Sequence, residues 1–367
     1  MIIDAMGSWT ARRPTAVPAG KTFIDEALDN GVTCMSETII ADVDFYDLHY
    51  AIRAIDDFHW LLHVYNQKTM LIECVDDIYR AKASNKLGFI GMLQGGNTLF
   101  EDLAVLRMFH KMGIRSIALT YMCGNALGCG CQDLNDTGLT RLGQKVVREM
   151  NRVGIAVDLS HVGMRTALDA IHYSTAPVVY THSNVKAITD HPRNISNDHL
   201  DALKQNDGLI CLTPVSAFCK KSSDRPTMND FIDQIAYTAD RIGVEHVGIA
   251  TDRMVGGVLD EAMILSKSAP EMLEFSLSGK HVDGAGGFKF WPNLCIAMKE
   301  RGFSKNEIDQ IFGENYINTV KKSGNNNDSL CAFNFLLTKD LGGGVTRSLC
   351  QNRHGKSLGM ALAELEI

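Results

Sequence analysis

The sequence predicts an α/β chain folded as a (β/α)8 barrel, and three observations carry that expectation. Eight short, apolar, β-branched runs recur between residues 1 and 250. Amphipathic segments with helical spacing separate them. No G-x-G-x-x-G turn follows the first run, which argues against an open dinucleotide-type sheet. Strand and helix alternating in this way imply a parallel sheet, because parallel neighbours need a long crossover between them.

The runs lie at 1–4, 31–35, 88–93, 116–119, 154–158, 177–180, 208–212 and 247–250. The helical segments lie at 45–65, 100–112, 141–153, 164–173, 198–204 and 228–242. Within 102–112, Leu103, Leu106, Met108, Phe109 and Met112 recur at near-helical spacing, so one face of that helix is apolar. Gly95-Gly96 and the glycines Gly128 and Gly130 lack the lysine of a phosphate-binding loop and read as ordinary loops. Gly313-Glu314-Asn315-Tyr316 opens a short last helix, which closes a barrel domain over 1–320. Residues 321–367 have linker-like composition, with Gly342-Gly343-Gly344 and two short apolar runs at 333–337 and 358–365. They are expected to form a peripheral, partly flexible appendage that packs on the barrel or on a second subunit. No internal repeat at a fixed period is visible.

Composition narrows the class. The 367 residues are 45% hydrophobic and 22% charged, as in an ordinary globular chain. With 36 basic against 43 acidic residues and no basic block, nucleic-acid binding is not expected. No run approaches the ~20 apolar residues of a membrane span. Ten cysteines spread along the chain, with no leader-like N-terminus, point to free thiols in a reducing, cytoplasmic setting.

In a barrel, chemistry sits just beyond the C-terminal ends of the strands. In order, those positions hold Met6 and Ser8, Glu37, Gln94, Tyr121, Asp158 with His161, His182, Thr213, and Asp252. His161, His182 and Asp252 follow three separate strands and should meet at one mouth. Any one of them has a plainer explanation. A single histidine after a strand is commonly a hydrogen-bonded structural residue. Asp158 suits a capping or loop-bracing role, and Asp252 could brace a loop in the same way. Convergence of the three is what argues for function. Cys123, Cys129 and Cys131 contain no C-x-x-C pair, so ordinary loop thiols fit better than a structural zinc. No G-x-S-x-G elbow is present, which leaves a serine hydrolase without support.

Five ordered segments carry a resemblance: 148–154, Val157-Asp158-Leu159-Ser160-His161-Val162, Thr181-His182-Ser183, His191-Pro192-Arg193-Asn194, and 247–252. Together the chain resembles the membrane (renal) dipeptidase family of zinc metallopeptidases, in the amidohydrolase-type barrel superfamily, from the first strand to about Val320. The resemblance implies two zinc ions sharing a bridging glutamate and hydroxide that cleave a dipeptide amide. By motif, His161 and His182 match the histidines of one metal site. Asp252 matches the aspartate that contacts the other metal and manages the catalytic proton. Arg193 matches the arginine that receives the substrate carboxylate.

The departures cluster in the same place. Met6 and Ser8 stand where the family has His-x-Asp, and Gln94 stands for the bridging glutamate. Tyr121 replaces a substrate-facing histidine, and Arg253-Met254 follow Asp252 where Phe-Asp-Gly is usual. A thioether is a poor zinc ligand beside imidazole, and a neutral amide cannot offset two dications. The expectation is therefore a rebuilt site holding at most one zinc or other divalent ion through His161 and His182. Asp252 would serve as base, Tyr121 would donate to the developing oxyanion, and Glu37 or the Gln94 carbonyl could add a ligand. Arg193, Gln94 and Tyr121 would bind a small carboxylate-bearing amide, with homodimer formation left open. The alternatives are a metal-free binding protein on the same barrel and a non-hydrolytic acid/base enzyme using Asp252 and a histidine.

Overall fold

A computed structural model describes residues 1–8, 22–42, 47–220, 225–253 and 281–323. Contacts divide the chain into two compact units, Met1–Asn326 and Asn327–Ile367. The second unit, and with it most of the expected appendage, lies outside the described residues.

Nine parallel strands build the sheet: β1 (Ile2–Ser8), β2 (Val32–Ala41), β3 (Thr69–Leu71), β4 (Leu87–Gln94), β5 (Ile114–Ala118), β6 (Ala156–Asp158), β7 (Val179–Tyr180), β8 (Leu209–Leu212) and β9 (Val247–Ile249). Their order is β1-β2-β4-β5-β6-β7-β8-β9, with β3 paired to the first half of β4. The eight strands on the main path are the eight apolar runs of the sequence. Thr69–Leu71 and the helices Phe23–Asp29 and Val75–Ala83 are additions that short, weakly periodic segments did not announce. The helices Arg141–Val153, Met164–Tyr173 and Met228–Ile242 fall where the periodicity places them. Residues 45 and 46 of the expected 45–65 helix lie outside the described residues, and the helix observed there is Leu48–Val64.

Two apolar layers result. Ile3, Cys34, Ile90, Met92, Ala156, Val179, Leu209 and Ala250 fill the barrel lumen. A larger layer between strands and helices includes Phe58, Phe89, Phe109, Phe231, Phe290 and Trp291. Each fully buried side chain of this kind contributes roughly 1.5–3 kcal/mol of transfer free energy. Local signals start and stop the helices. Thr140 accepts from Gly143 N at 3.0 Å at one helix start, and Gly154 ends that helix with φ 84°. Among the described residues eight cysteines are free thiols, and no helix is long and apolar enough to cross a membrane.

The seam between β9 and β1 is closed by one carboxylate. Asp4, on β1 and fully buried, accepts from Thr251 N at 2.8 Å and Thr251 Oγ1 at 2.6 Å, with Met6 N at 3.4 Å. Asp252 N then donates to Met6 O at 2.8 Å. Burial pushes the Asp4 carboxyl up to about 6, against the opposing pull of the Thr251 hydrogen bonds. The folded chain thus keeps a proton that the unfolded chain loses near pH 4. This stabilising contribution is full below about pH 4 and is lost as pH rises through about 6. Relative to Asp4→Asn, the wild type should lose at most about 3 kcal/mol between those limits in urea unfolding. A difference that grows with pH would contradict this.

Candidate active site

His161 and His182 are brought together by the ends of β6 and β7. The chain leaves β6 through Leu159 and Ser160, and His161 adopts a left-handed conformation with φ 68°. A non-glycine residue held there costs energy that the surroundings must supply. His182 follows β7 by two residues. The two Nε2 atoms lie 2.8 Å apart, and both side chains are buried.

Hydrogen bonds on the far side of each ring fix which nitrogen carries a proton. Thr181 Oγ1 donates its only proton to Asp158 Oδ2 at 2.5 Å. Its oxygen must then accept from His182 Nδ1 at 2.8 Å, so His182 carries its proton on Nδ1 and offers a lone pair at Nε2. The His161 Nδ1 lies 3.1 Å from Met122 Sδ, an atom that can only accept, so that nitrogen is also a donor. Both Nε2 atoms thereby become acceptors facing each other. A divalent metal between them would reconcile that pair, as would a shared proton. Such outer partners are how proteins fix a ligating imidazole.

Asp158 is the brace. It also accepts from Ser160 N at 2.9 Å and Thr181 N at 3.0 Å, while Ser160 Oγ accepts from His182 N at 3.0 Å. It does not cap the following helix, whose N-cap is Gly163. The same pattern recurs at Asp4, Thr251 and Asp252: a buried strand carboxylate grips a threonine, and the residue after the threonine faces the mouth.

Tyr121, beyond β5, stacks on the His161 ring with centroids 4.2 Å apart and planes at 29°. Arg193 is 3% exposed. Its guanidinium donates to His182 O at 2.9 Å and Ser183 Oγ at 3.3 Å, and it lies 5.3 Å over the Phe218 ring. Among the described residues no carboxylate pairs with it. His161, Ser183, Arg193 and Asn194 line one small pocket with room for about one water molecule.

On the opposite wall the site is neutral. Thr38 Oγ1 donates to Met6 Sδ at 3.1 Å, and Gln94 Nε2 donates to Thr38 Oγ1 at 2.8 Å and approaches Met6 Sδ at 3.6 Å. Thioether, hydroxyl and carboxamide satisfy one another, a donor set that does not suit a second divalent ion. Ser8 pairs with Glu37 through the backbone in the β1–β2 ladder. Glu37 is not beyond a strand end but inside β2. Thr38 faces the mouth, so alternation turns Glu37 to the other face, which removes it as a ligand. Asp252 holds φ 47° at the end of β9 and is half-exposed. Among the described residues no three His, Cys, Asp or Glu side chains gather as a metal cage. Cys129 Sγ instead accepts from Thr137 N at 3.4 Å inside its loop. Thr181 was visible in its motif without a role, whereas Met122 carried no signal in the sequence.

Strand order, lumen and polar mouth define a parallel (β/α)8 barrel of the amidohydrolase type. The family model described as membrane dipeptidase (peptidase family M19) matches residues 25–274, and the chain belongs to that family. Dipeptidase tcpJ of Claviceps purpurea is 29% identical over 76% of this chain and 62% of its own length. The uncharacterized dipeptidase C965.12 of Schizosaccharomyces pombe is 35% identical over 74% of this chain. The chain spans 62% of the length of either of these relatives. Among solved structures, an amidohydrolase from Pseudomonas aeruginosa superposes with TM-score 0.77 at 26% identity, covering 88% of this chain and 96% of that one. A Rhodobacter sphaeroides metallo peptidase, liganded with a phosphinate mimic of L-Ala-D-Ala, shares the fold at TM-score 0.73 and 18% identity, covering 88% and 99%. A second family model, the AtuA ferredoxin-like domain, matches residues 306–367, which straddle the boundary at Asn326.

The relay predicts a specific sensitivity. Thr181→Val removes the hydroxyl at nearly constant volume and frees His182 to change tautomer, so zinc affinity by chelator competition should fall about 10- to 100-fold. Thr181→Ser should restore it. Equal affinity in the valine variant would refute the relay.

Proposed function

We propose that this chain is a metallohydrolase that cleaves a dipeptide or a similarly small amide bearing a free carboxylate, using a single divalent ion. The observation that carries the reading is Arg193: a buried guanidinium without a carboxylate partner among the described residues, lining one cavity with His161. A buried cation of this kind is costly until an anion meets it, and a planar fork suits a carboxylate. Membership of the membrane dipeptidase family supports the same substrate class.

His161 and His182 are the residues that would hold the ion, because both Nε2 lone pairs converge. When bound, the ion would polarise the scissile carbonyl and acidify water. The remaining roles belong to the chain. Arg193 fixes the carboxylate end and so sets the amide against the imidazole pair. Asp252 takes a proton from the attacking water and delivers it to the departing amine as the C–N bond breaks. The Tyr121 phenol, held by its stacking on His161, donates to the carbonyl oxygen as negative charge develops there. A metal-free binding protein is the second reading, favoured by the neutral Met6–Thr38–Gln94 wall. Cytoplasmic residence and pairing of two chains complete the proposal.

Arg193→Lys keeps the charge and loses the fork, so affinity for a carboxylate ligand should drop about tenfold or more. Unchanged affinity would remove Arg193 from the site. Elemental analysis of protein purified without chelator should give no more than one zinc per chain. His182→Ala should abolish it, and Asp252→Ala should lower turnover more than metal content. Two zinc equivalents would overturn the single-ion reading. A dipeptide panel assayed before and after chelator separates the two readings, since binding without turnover in either condition selects the metal-free one.

A further inference from the structure

Phe218 is a buried aromatic side chain that neither apolar layer accounts for. It is 1% exposed, and among the described residues it clusters with Val215 and Ala217, apart from the lumen and from the layer between strands and helices. Its ring meets charged and polar groups instead. The Arg193 guanidinium carbon lies 5.3 Å over the ring centroid, and the His191 ring packs on it at 4.8 Å with planes at 46°. His191 Nδ1 in turn accepts from Arg193 N at 3.1 Å.

The ring is carried by the short helix Ser216–Cys219, and two side chains hold that helix in place. Phe218 O accepts from Asn194 Nδ2 at 2.9 Å and from Gln234 Nε2 at 3.2 Å. Both amides are buried, and backbone partners fix their orientation. Asn194 Nδ2 also donates to Thr189 O at 2.8 Å, and Gln234 Oε1 accepts from Val185 N at 3.0 Å. Turning either amide over would set like against like. Gln234 reaches in from the helix Met228–Ile242, so one side chain joins the segment after β7 to Phe218. Asn194 is the neighbour of Arg193 in the chain, which bonds the guanidinium's own segment to its aromatic support.

This arrangement explains how Arg193 is buried without a carboxylate partner among the described residues. His182 O and Ser183 Oγ accept two of its N–H groups, and the negative face of the phenyl ring offsets part of the remaining desolvation. A carboxylate in the ring's place would cancel the charge and compete with an anionic ligand. The ring leaves the charge uncancelled and restrains the guanidinium plane, so the fork is set before a ligand arrives.

We propose that Phe218 is the positioning residue for carboxylate recognition, its ring supporting and orienting the Arg193 guanidinium. The inference rests on the reading of Arg193 as the carboxylate anchor and adds the residue that sets its preference for a charged carboxyl over a neutral one.

Calorimetry on the full chain tests it with two uncleavable probes. One is an Ala-Ala isostere with CH2–CH2 in place of the amide, and the other is the same compound ending in a carboxamide. The wild type should bind the acid about tenfold or more tighter, as for one charge-assisted contact. Without the ring the guanidinium can leave the fork geometry, and binding has to restore it. Phe218→Leu should therefore weaken the acid about tenfold and leave the carboxamide nearly unchanged. Phe218→Met, which fills more of the same space, should do likewise and guards against a leucine variant that fails to fold. A wild-type ratio retained by either variant, or equal weakening of both probes, would overturn the role of Phe218 while leaving Arg193 as the anchor. A wild type that does not prefer the acid, or a preference indifferent to Arg193→Lys, would remove the anchor reading and the inference with it.

Discussion

The site depends on the grip of Asp158 on Thr181. That carboxylate accepts two backbone N–H groups and one hydroxyl, and the hydroxyl oxygen is thereby committed to His182 Nδ1. A choice of tautomer, usually soft in an imidazole, becomes a consequence of strand packing. The strand ends of β6 and β7 are short, and β6 pairs with β7 at a single position. The carboxylate supplies the cohesion that a longer ladder would otherwise provide. Charge, register and ligand geometry are set by the same three hydrogen bonds.

The barrel uses this device twice. Asp4 holds Thr251 as Asp158 holds Thr181, and the next residue in each case, Asp252 or His182, is a candidate catalytic or ligating group. One half of the mouth keeps the imidazoles that such bracing prepares. The other half keeps the brace and presents Met6 and Gln94, at positions where the sequence resemblance implies an imidazole and a bridging carboxylate. Those replacements are not loosely packed. They bond to Thr38 and to each other, so the polar groups of this wall satisfy one another.

Much of this was legible in the sequence, and the reasons are physical. Parallel strands buried on both faces write themselves as continuous apolar runs, so all eight barrel strands stood out. Long amphipathic helices such as Arg141–Val153 did the same. Thr69–Leu71, three residues long, and the short helix Phe23–Asp29 carry too little periodicity to read. In the site, His161, His182 and Asp252 were marked by their places after strands. Glu37 was misplaced because β2 runs on to Ala41, past the apolar run at 31–35, so a strand-interior residue looked like a strand-end one. Met122 and Thr38 escaped notice because their roles are hydrogen bonds to side chains distant in sequence.

The central claim is that both Nε2 atoms are acceptors because their outer nitrogens are donors. Long-range 1H–15N correlation spectra of histidine-labelled protein test it most directly. The account predicts that His182 is protonated at Nδ1, with its Nε2 shift that of an unprotonated or metal-bound nitrogen, and that Thr181→Val loses this preference. A His182 protonated at Nε2 in the wild type would contradict the relay and the metal-binding geometry built on it.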